Sequence, residues 1–227
     1  MNRNWLRTAA NVIHRHYYPR VNWGVIDAQH VKIVETEYGK FHYDDVLRDF
    51  RELFIQIDEY DTSEIRHNDV VVDLGANIGA FTILIAPKVA HVVAVEPLFY
   101  KQLCANIKLN ELENVSCLQE YLGEEGRVVT CSFYGRSDKF IGTSFHNIIQ
   151  QIYQKHGLTP TVLKTDCEGG EWLIQPEDLE NIRVIEAEVH NFNGRKPMIF
   201  KDMLISLGYT CYYTINDGQM MLHARKR

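Results

Sequence analysis

Apolar and polar positions alternate in two different rhythms along this 227-residue chain. From Val31 to Tyr43, "VKIVETEYGKFHY" alternates and breaks at Tyr38-Gly39, which predicts a β-hairpin. Before it, Trp5, Ala9, Val12 and His16 recur at helical spacing, and after it Val46, Leu47, Phe50 and Phe54 share one helical side. Beyond Asp69 the rhythm becomes strand, loop, helix, repeated. Strands are predicted at Val70–Leu74, Val92–Glu96 and Val115–Gln119, with helices over Ala80–Lys88 and Tyr100–Leu109. Val128–Phe133 adds a strand or hairpin, and "TSFHNIIQQIYQKHG" reads as a helix stopped by Gly157. "TVLKTD" and "RVIEAEVH" are two more strands. "PMIFKDMLISLG" is a helix framed by Pro197 and Gly208. "YTCYYTI" and "QMMLHAR", joined across Asn216-Asp217-Gly218, close the chain as an antiparallel pair.

Strands alternating with helices over short loops predict an α/β fold, a doubly wound, mainly parallel sheet. The expected division is an N-terminal helix and hairpin extension over 1–58 and the main domain over 59–227.

One junction carries chemistry. In "VVVDLGANIGAFTILIA" a buried strand ends in Asp73, passes Gly75 and Gly79, and re-enters an apolar helix. Glycines there leave backbone N–H groups and space for an adenosine-containing cofactor. The spacing is G-x-x-x-G with an acid before it, not the G-x-G-x-x-G of a dinucleotide site. An acid at that point repels pyrophosphate but suits an amino-acid ammonium group. Glu96 ends the next strand, where a carboxylate can accept both hydroxyls of a ribose. Together they describe S-adenosyl-L-methionine better than NAD.

"DLGANIGAFT", "VVAVEP" and "LKTDCEGGEW" make Glu59–His190 resemble the FkbM family of S-adenosylmethionine-dependent methyltransferases. The resemblance implies a class I, Rossmann-like domain of seven strands with the last antiparallel. It places Asp73, Gly75, Asn77 and Gly79 around the methionine moiety and Glu96 on the ribose. It also implies O-methylation of a sugar or small-metabolite hydroxyl. Gly170 stands where a small residue such as alanine is common, and Glu120–Phe145 has no firm counterpart.

Interior strands of such a sheet are normally apolar on both faces. Two here are not. Lys164, Asp166 and Glu168 form one polar stripe; Glu186, Glu188 and His190 form another, with Ile185, Ala187 and Val189 turned away. Unpaired burial would cost several kcal/mol each, on the order of the desolvation penalty of a charge. The expectation is that Lys164 pairs with Glu186, while Asp166, Glu168, Glu188 and His190 line a cleft at the C-terminal strand ends. There His190 is the natural general base, with Asp166 or Glu188 as substitutes or orienting groups; a histidine paired structurally with a carboxylate is the plainer alternative. These groups could hold Mg²⁺ or Mn²⁺, but no metal is assigned. Glu171 is expected in a helix's first turn and Trp172 in the core. Asn191, Asn193 and Arg195 sit on a loop that either meets a polar acceptor or is simply solvated.

Composition narrows this only modestly. The apolar share is 45% and the formal net charge is −6. That balance argues mildly against a nucleic-acid partner and for a small hydroxylated acceptor. Five cysteines, none in a C-x-x-C, suggest reduced thiols and a cytoplasmic protein, without zinc. No stretch reaches the length of a membrane span, and the N-terminus lacks a secretory signal pattern. Homo-oligomerisation stays open. A tRNA or other nucleic-acid methyltransferase, an NAD-binding oxidoreductase, and a cofactor-binding module without transfer activity remain as alternatives.

Overall fold

The computed structural model describes residues 24–28, 31–36, 38–43, 59–133, 135–216 and 219–226. The helices expected before the hairpin and over 44–58 lie outside the described residues.

Seven strands form the central sheet: β4 (Val70–Leu74), β5 (His91–Val95), β6 (Val115–Leu118), β10 (Val162–Thr165), β11 (Val184–Val189), β12 (Thr210–Asn216) and β13 (Gln219–Arg225). Their order is β12-β13-β11-β10-β4-β5-β6. The five at one side run parallel, and β13 pairs antiparallel with both β11 and β12. The chain starts in mid-sheet at β4, winds outward to β6, then returns to β10 on the other side of β4. That reversal opens a crevice at the C-terminal ends of β4 and β10, where ligands bind in sheets of this kind.

Both faces of the sheet are covered. Val72, Val93, Leu163 and Ile185 face Phe145, Ile148 and Ile152 of helix α3 (Phe145–His156), after α1 (Ala80–Ile85) and α2 (Tyr100–Leu109) in the chain. Val71, Val92, Val162 and Val184 lie on the opposite face with Phe81 and Ile85 of α1. This two-sided burial explains the unbroken valine runs. Ser144 caps α3, its hydroxyl accepting from Asn147 N–H at 3.3 Å, and Gly157 ends it at φ 66°. Helix α4 (Pro197–Ser206) begins with proline.

The predicted hairpin is β2 (Val31–Thr36) with β3 (Gly39–Tyr43), extended by β1 (Gly24–Ala28) into a three-stranded sheet. It docks on the main domain. Phe41 is buried among Ile78, Ile83 and Leu103, and His42 N–H donates to Asn106 Oδ1 at 2.7 Å. The Asn106 amide in turn donates to Ile78 O in the glycine loop, at 2.8 Å.

Between β6 and α3 lies a second small sheet of β7 (Tyr121–Leu122), β8 (Val128–Phe133) and β9 (Arg136–Thr143), ordered β7-β9-β8. It leans on the segment after Glu96: Phe133 meets Phe99 edge-on at 6.4 Å, and the Arg136 guanidinium lies 4.7 Å from the Phe99 ring centre. All five cysteines are free thiols. No helix among the described residues is long and apolar enough to cross a membrane.

Candidate active site

The glycine loop follows β4 and is shaped by close approach. Gly75 has φ 72°, and a Cβ there would lie 1.8 Å from the Asp166 carbonyl oxygen. Gly79 has φ 95°, with Leu103 Cδ1 2.8 Å from an added Cβ. Asn77 takes a left-handed φ of 51°, which asparagine tolerates better than most residues. The loop's N–H groups are less free than expected. Gly75 and Ala76 donate to Val95 O, Asn77 to Glu96 Oε2, and Gly79 to Ala76 O.

Glu96 holds this loop to the next one. Its Oε2 accepts from Asn77 N–H at 3.0 Å, and Oε1 accepts from Leu98 and Phe99 N–H at 2.7 and 2.9 Å. Burial raises its pKa, against the lowering effect of those three donors. The Asn77 side-chain oxygen nearby is buried without a hydrogen-bond partner. An orphaned acceptor beside a carboxylate suits a ligand rich in donors, such as a ribose or an ammonium group.

Asp73, expected around the methionine moiety, is packed into the framework of the loop. Its side chain is 0% exposed and lies under the loop. Thr82 Oγ1 donates to Asp73 Oδ2 at 2.5 Å, and Lys164 Nζ lies 3.0 Å from Oδ1. Lys164 Nζ also donates to Gly75 O at 2.9 Å. Asp73 therefore braces the loop through Lys164. The expected Lys164–Glu186 pair is not formed. Lys164 sits between Asp73 and Glu186 in the ladder, but Glu186 is taken by the opposite strand. His223 Nδ1 lies 2.7 Å from Glu186 Oε2, Arg225 Nη2 lies 2.6 Å from Oε1, and Asp61 N–H donates to Oε2 at 2.8 Å. Arg225 and His223 on β13 hold Glu186, while Lys164 already has a carboxylate and a carbonyl.

The second half of the site gathers acidic side chains around His190, just past the ends of β10 and β11. His190 Nε2 faces Glu168 Oε2 at 3.5 Å, Glu188 Oε1 at 3.6 Å and Asp166 Oδ1 at 4.0 Å. Its Nδ1 lies 3.1 Å from Glu171 Oε1, which also accepts the His190 N–H at 2.7 Å. Glu171 is fully buried in the short helical turn Gly170–Leu173, its other oxygen accepting from Gly169 N–H at 2.9 Å. Burial alone would lower the His190 pKa. The Glu171 hydrogen bond and the surrounding carboxylates instead push it up to about 9. The raised pKa favours the charged imidazolium among these carboxylates. Burial, followed by the charge of Asp166, pushes Glu188 up to about 8, and burial likewise raises Asp166.

Glu171 is the residue that sequence reasoning undervalued. The signal lay in Gly169-Gly170: Gly169 at φ 101° lets the chain fold Glu171 back beneath His190. Tyr60 was missed altogether. Its hydroxyl is buried without a partner, and burial, then the charges of Asp166 and Glu188, raises its pKa well above the usual value. Trp172 is core, edge-on to Phe200 at 5.9 Å, with Nε1–H donating to His190 O at 2.8 Å. In the β11–α4 loop, Asn191 and Asn193 are exposed, and so is Phe192, whose ring lies against Gly169. Arg195 lies 5.9 Å from the Trp172 ring centre and donates to its carbonyl.

Sheet order, glycine loop and terminal antiparallel pair decide the class. The fold is that of class I S-adenosylmethionine-dependent methyltransferases. Residues 57–150 match the model of the TRM5/TYW2 methyltransferase domain. One relative is the tRNA(Phe) (4-demethylwyosine(37)-C(7)) aminocarboxypropyltransferase of Methanocaldococcus jannaschii, 50% identical over 52 residues. That match spans 21% of this chain and 21% of that protein. In solved structures, the fold is similar to M. jannaschii TYW2 in complex with AdoMet, with a TM-score of 0.54 and 20% identity over 88% of this chain and 87% of that one. It is also similar to an rRNA methylase from Streptococcus thermophilus, with a TM-score of 0.52 and 9% identity over 78% of this chain and 96% of that one.

These findings correct two expectations. The matching family model is TRM5/TYW2, not FkbM. "DLGANIGAFT" is a general mark of the class, and "LKTDCEGGEW" lies beyond the matched residues. The small hydroxylated acceptor, and the mild exclusion of nucleic acid, give way as well, because the relative's name specifies tRNA. Net charge sums the whole chain, whereas a nucleic-acid contact depends on local groups.

Proposed function

We propose that this chain is an S-adenosylmethionine-dependent transferase that modifies a base of tRNA, with methyl transfer as its reaction. The observation that carries the cofactor half is the pairing of Glu96 and the unpartnered Asn77 oxygen across a loop pinched by Gly75. Both residues lie inside the segment matched by the TRM5/TYW2 model. Glu96 would accept the ribose hydroxyls on lone pairs its three N–H donors leave open, and Asn77 Oδ1 would accept a further donor. The cofactor supplies an electrophilic carbon on a cationic sulfonium.

The acceptor half rests on the relatives and on one surface feature. Exposed Phe192 lies at the edge of the acidic group around His190, with exposed Arg195 and Lys196 following on the same loop. An aromatic face flanked by cations suits a splayed base and its phosphate. The relative's name favours a second reading, transfer of the aminocarboxypropyl group of the same cofactor.

Both readings are tested together. The chain is incubated with tRNA lacking modifications and S-adenosylmethionine labelled either in the methyl group or in the aminocarboxypropyl chain. Methyl label in tRNA supports the main reading, and chain label supports the second. If neither enters tRNA while S-adenosylhomocysteine binds the chain, the acceptor assignment is wrong.

A further inference from the structure

We propose that Asp166, Glu168 and His190 form a binding site for one divalent cation of the Mn²⁺ type. One donor atom from each of the three lies within 4.8 Å of the other two. Glu168 Oε2 and Asp166 Oδ1 are 3.5 and 4.0 Å from His190 Nε2. Around a metal with bonds of about 2.0–2.2 Å, neighbouring donors stand roughly 3.0–3.6 Å apart. Small side-chain adjustments therefore close the shell, with no movement of the strands.

The imidazole is oriented for ligation once the bound cation displaces the Nε2 proton, as metal binding to a histidine requires. Glu171, fully buried, accepts at Nδ1 and leaves Nε2 facing the carboxylates, the arrangement that positions metal-bound histidines. An independent feature points to a missing occupant. Tyr60 is 5% exposed, its hydroxyl has no hydrogen-bond partner, and Asp166 and Glu188 are the charges acting on it most strongly. A buried hydroxyl with no hydrogen-bond partner is expensive unless a ligand or its bound water completes the contact. Glu188 Oε1, 3.6 Å from Nε2, would hold such a water on the other side.

Two carboxylates and one imidazole favour Mn²⁺ over Mg²⁺, which prefers all-oxygen shells, while the absence of thiolate disfavours soft metals. The Asp166 backbone oxygen abuts Gly75, so the cation would sit beside the glycine loop and place its charge at the edge of the cofactor cleft.

The test reads the metal directly and needs no acceptor, so its outcome is independent of the tRNA assignment. Mn²⁺ is titrated into the full chain, and the free aquo ion is followed by electron paramagnetic resonance. One equivalent is expected to bind, with affinity falling at least about 10-fold in Glu168→Gln and in His190→Gln. The Glu168 side chain is 62% exposed, so its substitution spares the core, and an unchanged far-ultraviolet circular dichroism spectrum with a cooperative thermal transition checks the fold of both variants. Failure of the wild-type chain to bind Mn²⁺ at millimolar concentration overturns the proposal. So does stoichiometric binding that survives both substitutions.

Discussion

At the scale of single residues, the site depends on a few side chains with no room for exchange. Gly75 is one: any Cβ meets the Asp166 carbonyl at 1.8 Å, and the backbone is left-handed. Gly75→Ala is expected to lower unfolding free energy by at least about 3 kcal/mol, read from the urea midpoint. Lys164 is another. Lys164→Met would leave Asp73 buried without its cation and cost about 3–5 kcal/mol on the same measurement. Glu96 acts on the ligand: Glu96→Gln is expected to weaken S-adenosylhomocysteine about 10- to 100-fold by calorimetry, the loss of one or two hydrogen bonds to a charged acceptor. Residue roles were only half legible in the sequence. Period-2 alternation anticipated that Asp166, Glu168, Glu188 and His190 would gather, although only Glu188 lies within a strand and the other three follow the strand ends. It did not say which charge takes which partner. Asp73, Lys164 and Glu186 share a row, and the outcome turned on His223 and Arg225 arriving from a strand far along the chain.

At the scale of elements, the strands and helices from β4 to β6 were legible almost to the residue. Their valine runs and glycine breaks leave few alternatives. The loop ends were not, since the inward fold of Glu171 after Gly169-Gly170 is a backbone conformation rather than a pattern. The closing β12–β13 pair has its own anchor. Asp61 accepts from Ser63 N–H and from the Tyr212 hydroxyl, and Arg225 Nη2 lies 3.2 Å away. Partial burial would raise the Asp61 pKa, but the Ser63 and Tyr212 hydrogen bonds and the Arg225 charge hold it well below the usual carboxylate range. A folded-state pKa below the unfolded one means that the contribution is complete above about pH 4 and fades as pH falls further. Asp61→Asn is therefore expected to lower Tm at pH 7, with the gap to wild type narrowing steadily below about pH 4. A gap that widens in acid would contradict this account of the anchor.

At the scale of the whole molecule, the doubly wound sheet was readable because alternating strands and helices admit few other packings. The partner was not. A formal charge of −6 sums the whole chain and says little about any local group. If tRNA is the acceptor, transfer should fall steeply between about 50 and 200 mM salt, as counterion release requires, while cofactor binding barely changes. Phe192→Ala should reduce tRNA use about 10-fold and leave S-adenosylhomocysteine affinity intact, in line with the loss of one stacked base.

The glycine loop and Glu96 carry the rest of the account as the cofactor's site, and calorimetric titration tests that most directly. S-adenosylhomocysteine should bind the wild-type chain one to one, and NAD should neither bind with comparable affinity nor displace it. Tight binding of NAD, or no heat with S-adenosylhomocysteine, would contradict the assignment of this site.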